Sequence, residues 1–403
     1  METSTRTLNK SFLERIDWRL ITIIALLFGT SCLIISSAMS GGQYETNFLS
    51  KQILYYILGF ILAIFLMFIS PKTLRKYVWI IYIIGNLSLI GLLVLPESSF
   101  TPVINGAKSW YRLGPISIQP SEFMKVVLIL ALANVVYQHN RFTYTKTLSR
   151  DLNLLIKIAL TACVPMLLIL LQNDLGTTLV LMAIILGIII VSGVTWRILA
   201  PAFIGLFAIG SSLILLMIFK PSIIEKISGI KTYQLGRINS WLDPYAYSSG
   251  DGYHLTESLK AIGSGQLFGK GLNNGEVYIP ENHTDFIFSI IGEEFGFIGT
   301  MVVLLIFLAL FIHLIRLATS TSHPFNVMFI IGYLSFVLFH VVQNIGMTIQ
   351  LLPITGIPLP FISYGGSALW SLMAGVGILL SIFYHEKDAF TVSKKGEGQK
   401  SNL

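Results

Sequence analysis

Charge-free apolar runs constrain this chain more than any other feature. Ile21 to Met39, Thr177 to Thr195 and Met301 to Ile312 contain no Asp, Glu, Lys or Arg. A helix needs roughly 20 apolar residues to cross about 30 Å of hydrocarbon. Lipid offers no partner to an open backbone, so segments of this kind cross as helices. Composition agrees: of 403 residues, 54% are hydrophobic and only 12% charged. That is about half the charged share of a soluble domain. The pattern predicts an all-α polytopic membrane protein with about ten spans, near 19–39, 53–70, 77–95, 121–138, 154–172, 176–194, 198–219, 284–315, 325–349 and 366–384. Ile21 to Met39 is too long for the apolar core of a cleavable signal peptide.

Lys and Arg set the orientation. If the N-terminus is cytoplasmic, most of the 27 Lys and Arg residues fall on the cytoplasmic side. Most of the rest lie in one long loop, where the bias carries little weight. Both termini are therefore expected inside, with Ser249 in the long loop open to labelling from outside. The net charge of +7 then reflects cytoplasmic loops and contact with membrane lipids, with no nucleic-acid partner. Cys32 and Cys163 sit inside apolar runs, too few and too far apart for a disulfide framework or a zinc site. The transmembrane domain is expected over 1–386, followed by a polar, frayed cytoplasmic tail over 387–403. The large extracytoplasmic loop, 220–284, joins spans seven and eight. It holds Trp241, Tyr245, Tyr247, Tyr253 and Leu255, too many large apolar groups for a solvated tail. Short amphipathic pieces lying against the membrane are expected there. A second unusual outside segment, Pro96 to Pro120, joins spans three and four.

Ionisable groups inside spans cost about 2.5–3.5 kcal/mol each on insertion scales, and persist when paired, hydrated or used. Glu122 and Lys125 share a helix face at i, i+3, so they form either a local pair or part of a polar substrate cavity. Asp174, in LLQNDLGT, either caps the sixth helix or faces the same cavity. Glu293 and Glu294 fall about 12 Å below Asp285 on a straight helix and point about 100° apart. Gly296 and Gly299 are candidate bends. Asp285 stands where the long loop becomes a helix, with Glu281, His283 and Thr284 close by. A first-turn acid at a helix N-terminus is the ordinary reading; the density of polar neighbours favours more than a cap. The glycine-rich stretch AIGSGQLFGKG follows no strand and reads as a tight loop approaching a ligand or the membrane. Nucleotide-binding, zinc-protease and serine-hydrolase motifs do not occur.

Four ordered segments carry a family resemblance: NGAKSWYRLGPISIQPSEFMK (Asn105 to Lys125), NDLGT (Asn173 to Thr177), AIGSGQLFGKGL with IPENHTDFIFSIIGEEFG (Ala261 to Gly296), and LPITGIPLPFISYGGSALW (Leu352 to Trp370). In these the chain resembles the SEDS proteins, the group of RodA, FtsW and the sporulation protein SpoVE. The TGIPLPFISYGG wording is more similar to the RodA branch. Gln266, Asn282 and Ser289 depart from common family residues, and none is an ionisable motif position. The resemblance implies a peptidoglycan glycosyltransferase of the bacterial cytoplasmic membrane. It would join lipid II units on the extracytoplasmic face, release undecaprenyl diphosphate and serve elongation and cell shape. It implies a class B penicillin-binding protein as partner and, as cofactor, a divalent cation, Mg or Mn. The aspartate of the family's HTDFIF motif maps onto Asp285 as the catalytic residue.

The chemistry suits the residues. A diphosphate leaving group needs charge neutralisation more than a proton, so one base for the acceptor hydroxyl suffices. Asp285 is the candidate base. Lys108, Trp110, Arg112, Glu122, Lys125, Asp174, Lys260, Lys270, His283 and Ser363 are candidates for binding substrate. Leu304, Phe307 and Phe311 on span eight are the expected docking face for the partner's helix. The alternative is a flippase for a lipid-linked precursor, with Glu122, Lys125, Glu293 and Glu294 lining its path. A scaffold without activity would leave Asp285 unexplained.

Overall fold

The computed structural model describes residues 13–40, 47–104, 106–114, 116–142, 147–219, 232–247, 250, 252–280 and 282–400. Lys220, Ser249 and Glu281 therefore lie outside the described residues.

Ten long helices match the ten apolar stretches in order. They are α1 (Trp18–Ser40), α2 (Phe48–Met67), α3 (Pro71–Val94), α4 (Pro120–Phe142), α5 (Leu148–Leu171), α6 (Leu175–Val191), α7 (Trp196–Phe219), α10 (Ile287–Ser320), α11 (Pro324–Thr348) and α12 (Gly366–Lys400). Two shorter helices, α8 (Thr232–Leu242) and α9 (Tyr253–Ser264), lie between α7 and α10. Eight of the long helices are long and apolar enough to cross a membrane; α6 and the apolar part of α7 are shorter.

Burial separates the helices into two layers. The apolar window of α4 is 78% buried, against 22% in α2, α3 and α10. The central helices α4, α11 and α12 thus form the core, around Phe329, Tyr333, Phe336 and Met373. The outer helices turn Ile61, Ile80, Ile156 and Leu305 outward. In water such a surface would aggregate; in a bilayer it is the lipid face.

Connector lengths and contacts sort the helix ends into two groups. One end gathers the α3–α4, α5–α6, α7–α10 and α11–α12 connectors. The other gathers the starts of α1, α3, α5 and α11. There Arg15 lies over the Tyr384 ring, 5.9 Å from its centroid, so the N-terminal segment and the late part of α12 share an end.

Four features refine these expectations. The Pro96 to Pro120 segment departs from the all-α pattern: β1 (Tyr111–Leu113) and β2 (Ile116–Ile118) pair antiparallel, with Arg112 opposite Ser117. The tail beyond Glu386 is helical, since α12 runs unbroken to Lys400. The α9 helix buries one face against the bundle. Its buried face, Leu255, Thr256, Ser258 and Ala261, packs on α10 and α11, and the Ser258 hydroxyl meets Ser289 Oγ at 2.6 Å and donates to the Thr348 carbonyl at 2.8 Å. The Ser289 departure is thereby accommodated by a partner.

The fourth concerns α10, which is not straight. Gly296 takes φ 62° and ψ −158°, outside any helix, so Glu293 and Glu294 belong to a separate first segment. Only glycine enters that region without cost. The glycine-rich loop fills the break: Phe297 N donates to Gln266 O at 2.9 Å and Ile298 N to Leu267 O at 3.1 Å. In return Lys270 N and Gly271 N donate to the Glu293 and Glu294 carbonyls, each at 3.0 Å. The loop's backbone thus approaches the broken helix of its own chain. Gln266, standing where glycine is common, takes φ 49°, a left-handed conformation costing roughly 1–2 kcal/mol for a residue with a Cβ.

Candidate active site

The segment between α11 and α12, Leu352 to Gly365, is the hub of the connector-rich end. It has no regular structure, so its backbone groups need partners from elsewhere. Buried polar side chains of the spans supply them. Asn344 Nδ2 donates to Ile357 O at 2.8 Å, Gln343 Nε2 to Pro353 O at 2.9 Å, and Ser31 Oγ to Ile362 O at 2.8 Å. Gln52 Nε2 donates to Ser363 O at 3.2 Å, and the Tyr56 hydroxyl bonds the Phe361 carbonyl. His340 Nδ1 lies 3.2 Å from Pro358 O.

Asp285 meets this hub. It is half-buried. A Cβ built on Gly356, at φ 70°, would stand 3.2 Å from Asp285 Oδ2, so the carboxylate lies against that glycine. Asn344 Nδ2 also donates to the Asp285 carbonyl at 2.7 Å, fixing the backbone that carries the acid. The expected capping role does not hold: α10 starts at Ile287 with Phe286 as N-cap, and its first turn holds no acid. Asp285 sits one residue outside the cap.

His283 is buried and flat against Phe48, with ring centroids 4.2 Å apart, and its carbonyl accepts from Tyr364 N at 2.9 Å. Burial, and then Tyr55, push the Tyr364 phenol above its usual range. Ser363 Oγ donates to Thr284 O at 2.6 Å and accepts from Leu359 N at 2.8 Å. That hydroxyl staples the hub to the segment of chain that carries Asp285.

Asp174 approaches from the other side. Its Oδ1 accepts from Thr177 N at 2.9 Å, so it caps α6. Its Oδ2 also accepts from Gln119 Nε2 at 3.0 Å and Thr177 Oγ1 at 2.8 Å. Next to it, Gly176 lies against the Thr355 carbonyl. Asp174 and Asp285 therefore flank Thr355 and Gly356.

Glu122 and Lys125 pair at 2.7 Å, with both side chains buried, and Lys125 Nζ lies 3.2 Å from His340 Nε2. The pair is enclosed. The cavity beside Glu122 and His340 has a volume of about 10 Å³, space for one water at most. Of the two readings, the local pair is the one seen, and it braces α4 against α11 and the hub.

The other cations divide. Lys108 Nζ bonds the Leu95 carbonyl. Lys260 pairs with Glu257 at 2.7 Å on the exposed face of α9. Lys270 pairs with Glu293 at 2.8 Å and Glu276 at 3.0 Å, and the Glu293 contact is the main reason its ammonium is held above the usual lysine range. These contacts hold loops; they do not bring the two lysines to Asp285. Glu294 turns instead to Ser37, as adjacent helical positions require. Trp110 is half-buried and Arg112 exposed. The β-hairpin carrying them docks on α12: Ser367 Oγ accepts from Gln119 N at 3.0 Å and donates to Ser117 O at 3.1 Å.

His340, Gln343 and Asn344 were not singled out from sequence. Their signal was present: three polar side chains at i, i+3 and i+4 inside an apolar span.

These features define a polytopic helical membrane protein whose half-buried Asp285 carboxylate lies against an irregular segment at one end of the bundle. The chain belongs to the FTSW_RODA_SPOVE family of cell cycle proteins, whose model matches residues 13–388. It is 32% identical over 384 residues to the peptidoglycan glycosyltransferase MrdB of Escherichia coli strain K12, covering 94% of this chain and 96% of the relative. It is 30% identical over 399 residues to a probable peptidoglycan glycosyltransferase FtsW of Hydrogenovibrio crunogenus, covering 96% of each. A solved chain described under structural coordination of polymerization and crosslinking by a peptidoglycan synthase complex superposes with a TM-score of 0.74, at 29% identity, over 91% of this chain and 97% of that one. The chain is a multi-pass protein of the cytoplasmic membrane.

Proposed function

We propose that this chain is a peptidoglycan glycosyltransferase that polymerises lipid II at the outer face of the membrane, with Asp285 as general base. The observation that carries the reading is the Asp285 carboxylate held against Gly356, at the end of the bundle where the family's segments converge. An acceptor hydroxyl attacks the anomeric carbon of the donor sugar, the carbon–oxygen bond to diphosphate breaks, and the hydroxyl proton passes to Asp285. The diphosphate departs on its lipid as an anion, needing neutralisation. Among the described residues Arg112, exposed on β1, and Lys108 are the cations of the candidate set that make no ion pair, and Lys108 Nζ bonds the Leu95 carbonyl. The Lys and Arg distribution supports the outer-face orientation.

A divalent cation would need donors. Among the described residues no three His, Cys, Asp or Glu side chains converge into a cage, and no step here runs through a metal. The partner we propose is the membrane helix of a class B penicillin-binding protein. Its docking face differs from the sequence expectation. Phe307 is buried in the core and stacks on Phe311 at 6.3 Å, while Met301, Val302, Leu305, Leu308 and Ile312 face outward. The elongation role follows the RodA-like wording of the hub.

Purified protein supplied with labelled lipid II tests the reading. Glycan polymer from the wild type and none from Asp285→Asn is expected. Transfer of lipid II across liposomes without polymer would replace it with the flippase.

A further inference from the structure

At the end opposite the hub, a cavity of about 510 Å³ opens between α3, α4 and α5. That is the size range of small-ligand pockets. Its lining includes Trp79, Gln138, His139, Arg150, Asn153 and Lys157, and no acid. Arg150, Asn153 and Lys157 recur at i, i+3 and i+7, so one face of α5 supplies them.

The donors are set in place and under-used. Arg150 Nη2 donates to Asn140 Oδ1 at 2.7 Å, and Asn140 Nδ2 donates to Ser192 O at 3.0 Å, which fixes the guanidinium. Its Nε is buried without a hydrogen-bond partner. His139 is 7% exposed, its Nδ1 lies 3.5 Å from Lys157 Nζ, and its Nε2 is buried without a partner. Asp151, next to Arg150, is buried and accepts from Thr195 N at 2.9 Å. Lys157 itself is exposed on a helix whose neighbours Leu152, Ile156 and Leu160 face lipid. A lone ammonium on a lipid-facing helix is costly unless it finds an anion or reaches the interface.

We propose that this pocket binds a phosphate group carried by an anionic phospholipid of the adjoining leaflet. Arg150 and Lys157 would neutralise the phosphate, His139 and Asn153 would donate to its oxygens, and Trp79 with Leu160 would flank the first carbons of the chains. Open apolar flanks suit a ligand that arrives through the bilayer and keeps its tails there. Cytoplasmic leaflets carry the anionic lipids that basic clusters attract.

Native mass spectrometry of the full chain, titrated with phosphatidylglycerol, phosphatidylcholine or inorganic phosphate, tests this. One phosphatidylglycerol should be retained in preference to phosphatidylcholine. Lys157→Met, on an exposed side chain, should lower that affinity about fivefold, and Lys157→Met with Arg150→Gln about 25-fold, the worth of one and two basic groups at a lipid surface. Melting curves of both variants check that they fold. Equal retention of the two lipids, or phosphatidylglycerol affinity unchanged in folded Lys157→Met, would overturn the site. Inorganic phosphate binding without phosphatidylglycerol binding would overturn its assignment to lipid.

Discussion

At the hub end of the bundle, neutral buried side chains hold the carbonyls of an irregular segment; at the opposite end several buried polar groups meet one another instead. Asn344, Gln343, Gln52 and Ser31 each hold a carbonyl of the irregular hub. At the other end Asp17 pairs with His313 at 2.7 Å, Arg75 lies 3.3 Å from His323, and cavities of about 490, 510 and 660 Å³ open. The cavity enclosed beside Glu122 is about 10 Å³. The contrast teaches that the larger hollows are not where this family's motifs converge. The lipid-anchored substrate proposed above would reach the protein along the membrane, so the proposed site would need a fixed surface with a placed carboxylate more than a deep hole.

The largest effect that would break this contrast concerns Asp285. Asp285→Asn should lower polymerisation by about 10²–10⁴, the usual worth of a positioned acid–base group, with little change in melting temperature. Asp285→Glu should recover little, since one methylene misplaces the carboxylate. A folded Asp285→Asn protein that still makes long glycan chains would remove the catalytic assignment. The next effect is on stability. Glu122→Gln leaves the Lys125 ammonium buried beside His340 and should cost about 3–5 kcal/mol. Glu122→Gln with Lys125→Met should cost less, because no charge is then stranded. Thermal melting in detergent ranks the variants, and a double variant far less stable than either single would sink the pair model.

Much of this was legible in the sequence. Apolar runs of helical length located the long helices, because lipid demands them. QPSEFMK announced the Glu122–Lys125 pair through its spacing alone. What stayed hidden depended on tertiary neighbours. Phe307 and Leu305 are equally apolar, so hydropathy could not tell the core face of α10 from its lipid face. The kink at Gly296 depends on a loop about 30 residues earlier supplying the missing hydrogen bonds. Asp285 looked like a helix cap because a local reading cannot see the approach of Gly356, some 70 residues later. His340 and Asn344 give a weaker signal than charged groups, because a neutral polar side chain in a span is less costly, while a hub of bare backbone needs neutral donors.

Gly356 gives a smaller effect that sharpens the role of the hub. At φ 70°, with Asp285 Oδ2 close to where a Cβ would stand, Gly356→Ala carries both backbone strain and a displaced carboxylate. The strain should cost about 1–2 kcal/mol. Polymerisation should fall further than this stability loss explains, by about tenfold, because small misplacements of a catalytic group are costly. Activity per folded molecule is the readout. If it matches wild type while the melting temperature drops, the hub merely connects α11 to α12 and does not position the base.

The smallest effect belongs to the opposite end, and it shows whether the two ends are independent. Asp17 precedes α1; its Oδ1 accepts from Leu20 N at 3.2 Å, and its Oδ2 meets His313 Nε2 at 2.7 Å. Asp17→Asn keeps an oxygen for the helix start, a role in which Asn and Asp are nearly equivalent. It also keeps a group that can share a hydrogen bond with the imidazole. What it removes is the charge, so the loss should stay near 1 kcal/mol. The melting temperature should fall slightly, and polymerisation per folded molecule should not change. Asp17→Ala, which removes the cap as well, should fall further in stability and still retain activity. A loss of polymerisation in folded Asp17→Asn would mean that α1 and α10 transmit a change from one end of the bundle to the other, and the division of labour between the two ends would have to be abandoned.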